Sequence, residues 1–483
     1  MGFQAEKRRI LALRNPRPMT APPPPKQVLA ALWRLAGQPA AALEAVELTG
    51  SEPVLPSSFA VGTAAQTTVA ASALAAAELW RMRTGRQQQV RVAMRDAAIE
   101  ARSEHYLTID GKPPDDIRDK IAGLYRCGDG RWVRLHTNLP HHRAGTLKLL
   151  GCDYDRAAVQ RALDSWGAYE LEDAAVAAGL VVTATRSFEE WDAHPQGRAV
   201  AGLPPFSIEK IGDTPPQLLP ARDRPLSGIK VLDLTRVIAG PVCGRTLASH
   251  GADVLLITAA HLPSMEALVI DNGRGKLSAH LDLRDAAGRE KVAALLKQAD
   301  VFVQGYRPGA IAQYGFNAEE AAKLRPGIVC VSICAYSHEG PWANRRGFDS
   351  LVQNANGLND AEAAAFGTSQ PKPLPAQALD HGTGFLMAFG VMMALARRAT
   401  EGGSWHVRCS LAQTGVWFRG LGRIDGTACP DLGVDDVRDR LYESASGFGR
   451  LAAVRHSATM SETPPRWERP SVPLGTHAPA WPS

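Results

Sequence analysis

Aromatic residues make up only 6% of the 483 residues, and the chain has no long uninterrupted apolar run. The longest strongly apolar stretch, residues 385–396, is too short to cross a bilayer and fits a buried helix, so no membrane association is expected. Cysteine is sparse, and the seven present are odd in number with no metal-type spacing. That excludes a disulfide framework or a metal site and suggests reduced thiols in the cytoplasm. Cys330 and Cys334 fall on one face of an expected strand and read as small buried hydrophobes. No basic run is interleaved with aromatics, which argues against a nucleic-acid partner. The net charge of +5 is modest and suits an anionic small ligand. His136, His141, His142 and His194 lack ligand spacing and read as surface or satisfied-core residues. What is present, 45% apolar and 21% charged residues, is the composition of an ordinary globular protein long enough for about two to four domains.

The chain divides into six stretches. Residues 1–27 are basic and then proline-rich and are expected to be disordered. Met19 is a second candidate start. A transit peptide is the alternative reading of so Arg-rich an N-terminus, opposed by Glu6 and the proline run. Residues 28–104 open with a short helical pair and continue as helix, Gly turn, strand and helix. Residues 105–205 form a smaller α+β domain, with a hairpin turning at Asp129-Gly130, helices at 157–165 and 169–178, and a capping box at Ser187 and Glu190. Residues 206–226, with four prolines, are expected to be a linker. Residues 227–425 alternate strands and helices, which predicts an α/β domain built on a doubly wound, Rossmann-like parallel sheet. Its helix between the later strands opens at Asn317 and Glu320. Such sheets bind ligands at the carboxyl ends of their strands. The loop after the first strand, "TRVIAGP", has no GxGxxG, which excludes the usual dinucleotide fingerprint. Residues 426–483, rich in Pro, Ser and Arg, are expected to be a tail lying over the surface.

The most informative stretch is "LPAQALDHGTGFLMAFGVMMALARRATEGGSWHVRCSLAQTG", residues 374–415. Asp380 stands at the mouth of an apolar helix, where free amides and the positive end of the helix dipole favour a carboxylate. Asp is also a preferred capping residue, so a plain N-cap is the competing reading. Gly382 and Gly384 leave the backbone bare beside the acid, which a cap does not require. Setting Val90-Arg91-Val92 on Val407-Arg408-Cys409 aligns residues 61–102 with the region after Asp380 and brings Thr63 to the position of Asp380. The first stretch therefore reads as an internal echo without the acid.

"ALDHGTG" with its apolar helix, Gly-rich turn and strand, together with "GIKVLDLTRVIAGP" at 228–241, resembles the class III coenzyme A transferases, the CaiB/BaiF family. The resemblance is strong over 226–420 and weaker over much of 55–205, so residues 28–104 become a degenerate copy of part of the family's fold. It implies that Asp380 is a nucleophile taking CoA from an acyl-CoA donor to a carboxylic acid acceptor through a covalent aspartyl intermediate. CoA would be a substrate rather than a resident cofactor. It also implies a CoA site including Arg236, Lys276 in "NGRGKLS", Tyr306 and Arg307 in "QGYRPGA", and Arg346 in "RRGFDSLVQ". Backbone amides near Gly382 and Gly384 would receive the oxyanion. The carboxylate of Asp380 would work ionised, held so by helix amides. His381 reads as positional. Departures are Gly305 where the family has Asn, "VLLITAA" at 254–260 without the usual Lys-Ile-Glu, and Ile238 where one member has Gln. Two other readings remain. One is an α-methylacyl-CoA racemase, opposed by Phe348 where racemases carry a histidine in "GHD". The other is a non-catalytic CoA-binding protein. The family's interlocked homodimers imply a homodimer here, with an element order that looks permuted.

Overall fold

The structure is a computed structural model that describes residues 22–115 and 118–482. The disorder expected for 1–27 falls largely outside the described residues, and a helix begins inside that stretch. This is α1 (Pro25–Leu35), with proline at its first position, where no amide is needed. Its Leu29 and Trp33 are buried, and the Trp33 ring stacks on Phe389 at 5.8 Å. The second helix expected in 28–50 is a single 3-10 stretch, Ala40–Ala45, and strand β1 (Val46–Thr49) follows it. Then come α2 (Val61–Thr84), β2 (Val90–Ala93), parallel to β1, and α3 (Met94–Glu100).

The small domain is built on β3 (Gly123–Arg126) and β4 (Trp132–Leu135), joined at Gly130 with φ +79°. β5 (Val182–Ala184) completes an antiparallel sheet in the order β3-β4-β5. Val133, Leu135 and Val182 turn inward onto helices Arg156–Leu163 and Ala168–Ala177, in keeping with strand alternation. The capping box is formed: Glu190 N–H donates to Ser187 Oγ at 3.2 Å and Ser187 N–H to Glu190 Oε2 at 3.0 Å.

The linker expected at 206–226 is only partly irregular, because it opens with strand β6 (Phe206–Gly212). Phe206 is buried against Phe389 while Glu209 and Lys210 stay exposed, a pattern obscured in the sequence by the prolines that follow. β7 (Lys230–Leu234), α4 (Ala239–Ser249), β8 (Asp253–Thr258), β9 (Lys276–His280), β10 (Val301–Gln304) and β11 (Val329–Cys334) follow. After them come α5 (Asp349–Ala355), α6 (Ala378–Glu401), β12 (Ser404–Ser410) and α7 (Leu411–Gly420). The seven-stranded sheet runs β9-β8-β7-β10-β11-β12-β6, parallel throughout except for the β6 edge. Strands buried on both faces explain the near-continuous apolar runs at 231–234 and 329–334.

α6 is the axis of the molecule. Phe385, Met387, Phe389, Met392 and Met393 are all fully buried, at about 1.5–3 kcal/mol each. It packs against α4 on one side and α2 on the other. An offset of 317 carries α2 onto α6 end to end, both being 24 residues long, and sets β2 within β12 and α3 on α7. The two segments thus share one helix, strand, helix order at one spacing.

The C-terminal stretch does more than lie over the surface. β13 (Leu441–Ser446) and β14 (Gly449–Val454) form a hairpin, and β15 (Ala458–Met460) pairs antiparallel with β2. Leu451, Ala453 and Val454 are buried.

Candidate functional site

Asp380 is the third residue of α6, so it is not the N-cap; Gln377 is. The amides that a first turn leaves free go elsewhere than expected. Leu379 N–H and Asp380 N–H both donate to Asp349 Oδ2, at 2.8 and 2.9 Å, and the Gln353 side-chain amide donates to Asp349 Oδ1. Asp349, from the start of α5, is therefore the anion that caps the core helix. The carboxylate of Asp380 receives the amide of Ala239, the first residue of α4, so it sits at the positive end of a neighbouring helix. The bend that aims this amide runs through Val237, whose φ is +76°. A β-branched residue there is strained by about 1–3 kcal/mol, and the surrounding structure must hold it.

This arrangement reverses the expected charge state. Burial, then the Asp349 carboxylate, then Glu104 push Asp380 well above the usual carboxylate range, and only the Ala239 amide pulls down. Burial raises Asp349 to about 6 despite its amide donors. Asp349 has the better solvation by hydrogen bonds, so it is the member of the pair that ionises first. Behind Asp380, His381 Nε2 lies 3.0 Å from Glu104 Oε2, which comes from the turn Ser103–His105 of the N-terminal half.

The two glycines do not serve as an oxyanion hole. They are the fifth and seventh residues of α6, past the first turn whose amides lack an intrahelical acceptor. A Cβ on Gly384 would come within 2.6 Å of Ala239 O and 2.7 Å of Val242 Cβ, so this glycine lets α4 and α6 approach closely. A Cβ on Gly382 would meet only Thr414 Cγ2, at an ordinary 3.6 Å. The donor aimed at Asp380 is Ala239, in the "TRVIAGP" loop.

That loop also edges an open cleft at the carboxyl ends of β7 and β8, bordered by Thr235, Arg236, Val237, Thr258, Met265 and Lys276. Arg236 lines it, half-buried, and donates to Pro263 O. Lys276 lines it too, but its ammonium is buried against Asp233 Oδ2 and Pro241 O, both at 2.9 Å, which makes it a strut in the floor. Tyr306 is half-buried and is an electrostatic neighbour of Arg236. Arg307 and Arg346 are exposed and face one another closely enough to repel. His141, which feels both Arg346 and Arg236, joins the two groups.

Spacing alone missed the histidines. His136 stacks on Phe348 at 3.9 Å, one residue from Asp349, and His142 approaches the same ring edge-on at 6.3 Å. Both ring nitrogens of His142 lack a partner among the described residues. Burial pushes His136 and His142 down to about 3, so both imidazoles are neutral. The fold brings them to the site from a separate domain, and no local signal in the sequence announces it.

The model of CoA-transferase family III matches residues 35–215 and 226–422, most of the chain. The chain belongs to CoA-transferase family III. Among its family III relatives, an acyl-CoA transferase of Gibberella moniliformis is 32% identical over 317 residues, covering 60% of this chain and 55% of the relative. The acetyl-coenzyme A transferase nodX of Hypoxylon pulicicidum is 30% identical over 341 residues, covering 65% of this chain and 57% of the relative. The chain thus spans a little over half the length of these curated relatives. A crystal structure of a CaiB/BaiF family protein from Brucella suis aligns at 26% identity with a TM-score of 0.38, covering 47% of this chain and 65% of that one.

Proposed function

We propose that this family III protein is an enzyme that transfers CoA from an acyl-CoA to a small carboxylic acid, with Asp380 as the nucleophile. An Asp380 oxygen attacks the thioester carbonyl; the C–S bond breaks, CoA leaves as thiolate, and a mixed anhydride remains. The thiolate then attacks the Asp380 carboxyl carbon, releasing the donor's acid and leaving an aspartyl-CoA thioester. The acceptor carboxylate attacks that thioester and the same two steps run in reverse, restoring Asp380 and yielding the new acyl-CoA. Splitting the exchange in this way carries the thioester's activation through an anhydride and an aspartyl thioester while the donor's acid leaves.

The observation that carries this reading is the buried carboxylate of Asp380 facing the Ala239 amide at a helix N-terminus. Charge developing there meets a donor already in place. The cleft edged by the same loop, with Arg236 on it and Arg307 and Arg346 grouped through His141, supports CoA as the ligand. We take the large sheet as doubly wound, with this ligand at its carboxyl ends. A cytoplasmic homodimer, with no metal and no permanent cofactor, completes the reading. The seven free cysteines are consistent with the compartment.

A racemase would need a base beside the substrate α-carbon. Phe348 has no exchangeable proton, and neutral imidazoles held near 3 are too weak as bases to take one from carbon. A non-catalytic CoA-binding role would leave the raised Asp380 without a purpose. Incubation with reactive acyl-CoA thioesters followed by hydroxylamine should place a hydroxamate on the peptide containing Asp380 and none on that containing Thr63. An adduct on any other peptide would remove Asp380 as the nucleophile.

A further inference from the structure

On β4 the side chains alternate, and Val133 and Leu135 enter the small-domain core. Arg134 and His136 therefore face the other way, and the His136 ring lies flat on Phe348, the residue before Asp349. The adjoining strand fixes the same placement. Arg134 is registered with Thr183, whose hydroxyl donates to Leu351 O at 3.4 Å and whose carbonyl accepts from the Asn354 amide at 2.9 Å. Both partners belong to α5, the helix that Asp349 begins. The charged groups facing Arg134 are Asp349 and Arg118. Yet Asp349 gives its oxygens to Leu379, Asp380 and Gln353. Among the described residues Arg134 has neither a hydrogen bond nor an ion pair, although it is only half-exposed and burial draws its guanidinium down to about 10.

A guanidinium partly withdrawn from water and offered no acceptor by the described residues is a poor structural element and a good receptor for a planar anion. We propose that Arg134 anchors the carboxylate of the acceptor acid, holding it on the small-domain side of Asp380 for attack on the aspartyl thioester. The assignment rests on the transfer chemistry above and adds a division of labour. The donor's CoA occupies the cleft at the sheet, and the acceptor enters from the opposite side, between β4 and α5. A bidentate pair on Arg134 also explains how a second carboxylate, repelled by Asp349 and Glu104, could be held near them.

The test separates the half-reactions, using Arg134→Gln and Arg134→Lys in the full chain. Adduct formation on Asp380 from an acyl-CoA, followed by mass spectrometry, should run at the wild-type rate in both variants. Discharge of the adduct by hydroxylamine, an uncharged nucleophile, should also be unchanged. Discharge by acetate or succinate should require roughly 10- to 100-fold higher acid in Arg134→Gln, with partial recovery in Arg134→Lys. Wild-type discharge by these acids in Arg134→Gln overturns the assignment, and so does equal loss of adduct formation, which would place Arg134 with the donor or with folding. If the wild type itself forms no adduct, the transferase reading fails. Calorimetric binding of succinate to the unreacted protein, lost in Arg134→Gln, would still support an anion site, and unchanged binding would remove it.

Discussion

The chemistry at Asp380 depends on which of two neighbouring carboxylates holds the helix amides. Asp349 holds them, so Asp380 is left with one donor and a like charge nearby. Its raised pKa fixes two signs. As the proposed nucleophile it must lose its proton, so the rate of adduct formation should rise with pH along an acidic limb. For stability, the native state holds a proton that the unfolded chain releases near 4, so stability falls as pH rises from about 4 through the native pKa. Asp380→Asn should therefore reduce transfer to background, a loss on the order of 10³-fold or more, while raising the thermal midpoint at pH 8 relative to wild type. A midpoint lowered at pH 8 would contradict the buried, proton-retaining acid. Asp349→Ala removes the helix cap and the like charge together. It should cost about 1–2 kcal/mol of stability in denaturant titration and move the acidic limb of adduct formation to lower pH. A limb that stayed in place would mean that Asp349 does not govern the charge on Asp380.

At the level of elements, the long apolar helix, the parallel strands and the hairpin at Gly130 were legible in the sequence, because burial on both faces and turn chemistry leave local patterns. β6 and the tail strands were not, since their few inward residues are scattered among prolines and charges and acquire meaning only beside β12 and β2. The same limit applied to the glycines of α6. "HGTG" reads as bare backbone near a nucleophile, yet one glycine serves helix packing and the other has room for a methyl group. Gly384→Ala must displace α4, whose Ala239 amide serves Asp380, and is expected to cost about 1–3 kcal/mol and slow adduct formation. Gly382→Ala should be neutral or stabilise by about 0.5–1 kcal/mol, because alanine suits a helix interior better. Parallel melting curves and adduct rates for the two variants measure the contrast. Equal effects would show that the interhelical contact is not what distinguishes them.

Across the whole molecule, the N-terminal half supports the half that carries Asp380. Thr63 takes the place of Asp380, and its amide donates to Glu52 at 2.6 Å as that of Asp380 does to Asp349; the hydroxyl has no carboxylate chemistry to offer. What this half contributes is Glu104 behind His381 and Ser103 in a buried ion network. Asp271 is the centre of that network: its Oδ2 accepts from Arg245 and Ser103 and its Oδ1 from Arg274, all at 2.6 Å, while Arg274 also donates to Val454 O in the tail. Trp467 covers the Arg274 guanidinium at 4.2 Å. One carboxylate thus joins the N-terminal half, the α4 face of the large sheet and the C-terminal strands. Burial alone would raise it, but Arg245 and Arg274 hold it at about 2. A depressed native pKa means stability that is present above the unfolded value near 4 and lost as pH falls through 2. This is the opposite sign to that of Asp380. Asp271→Asn leaves two guanidiniums buried beside a neutral amide and should cost about 3–5 kcal/mol at pH 7. Its stability should also change less between pH 4 and 2 than that of the wild type. Denaturant titrations of both proteins across that range decide the matter, since parallel acid profiles would show that the three segments are held together by something other than this carboxylate.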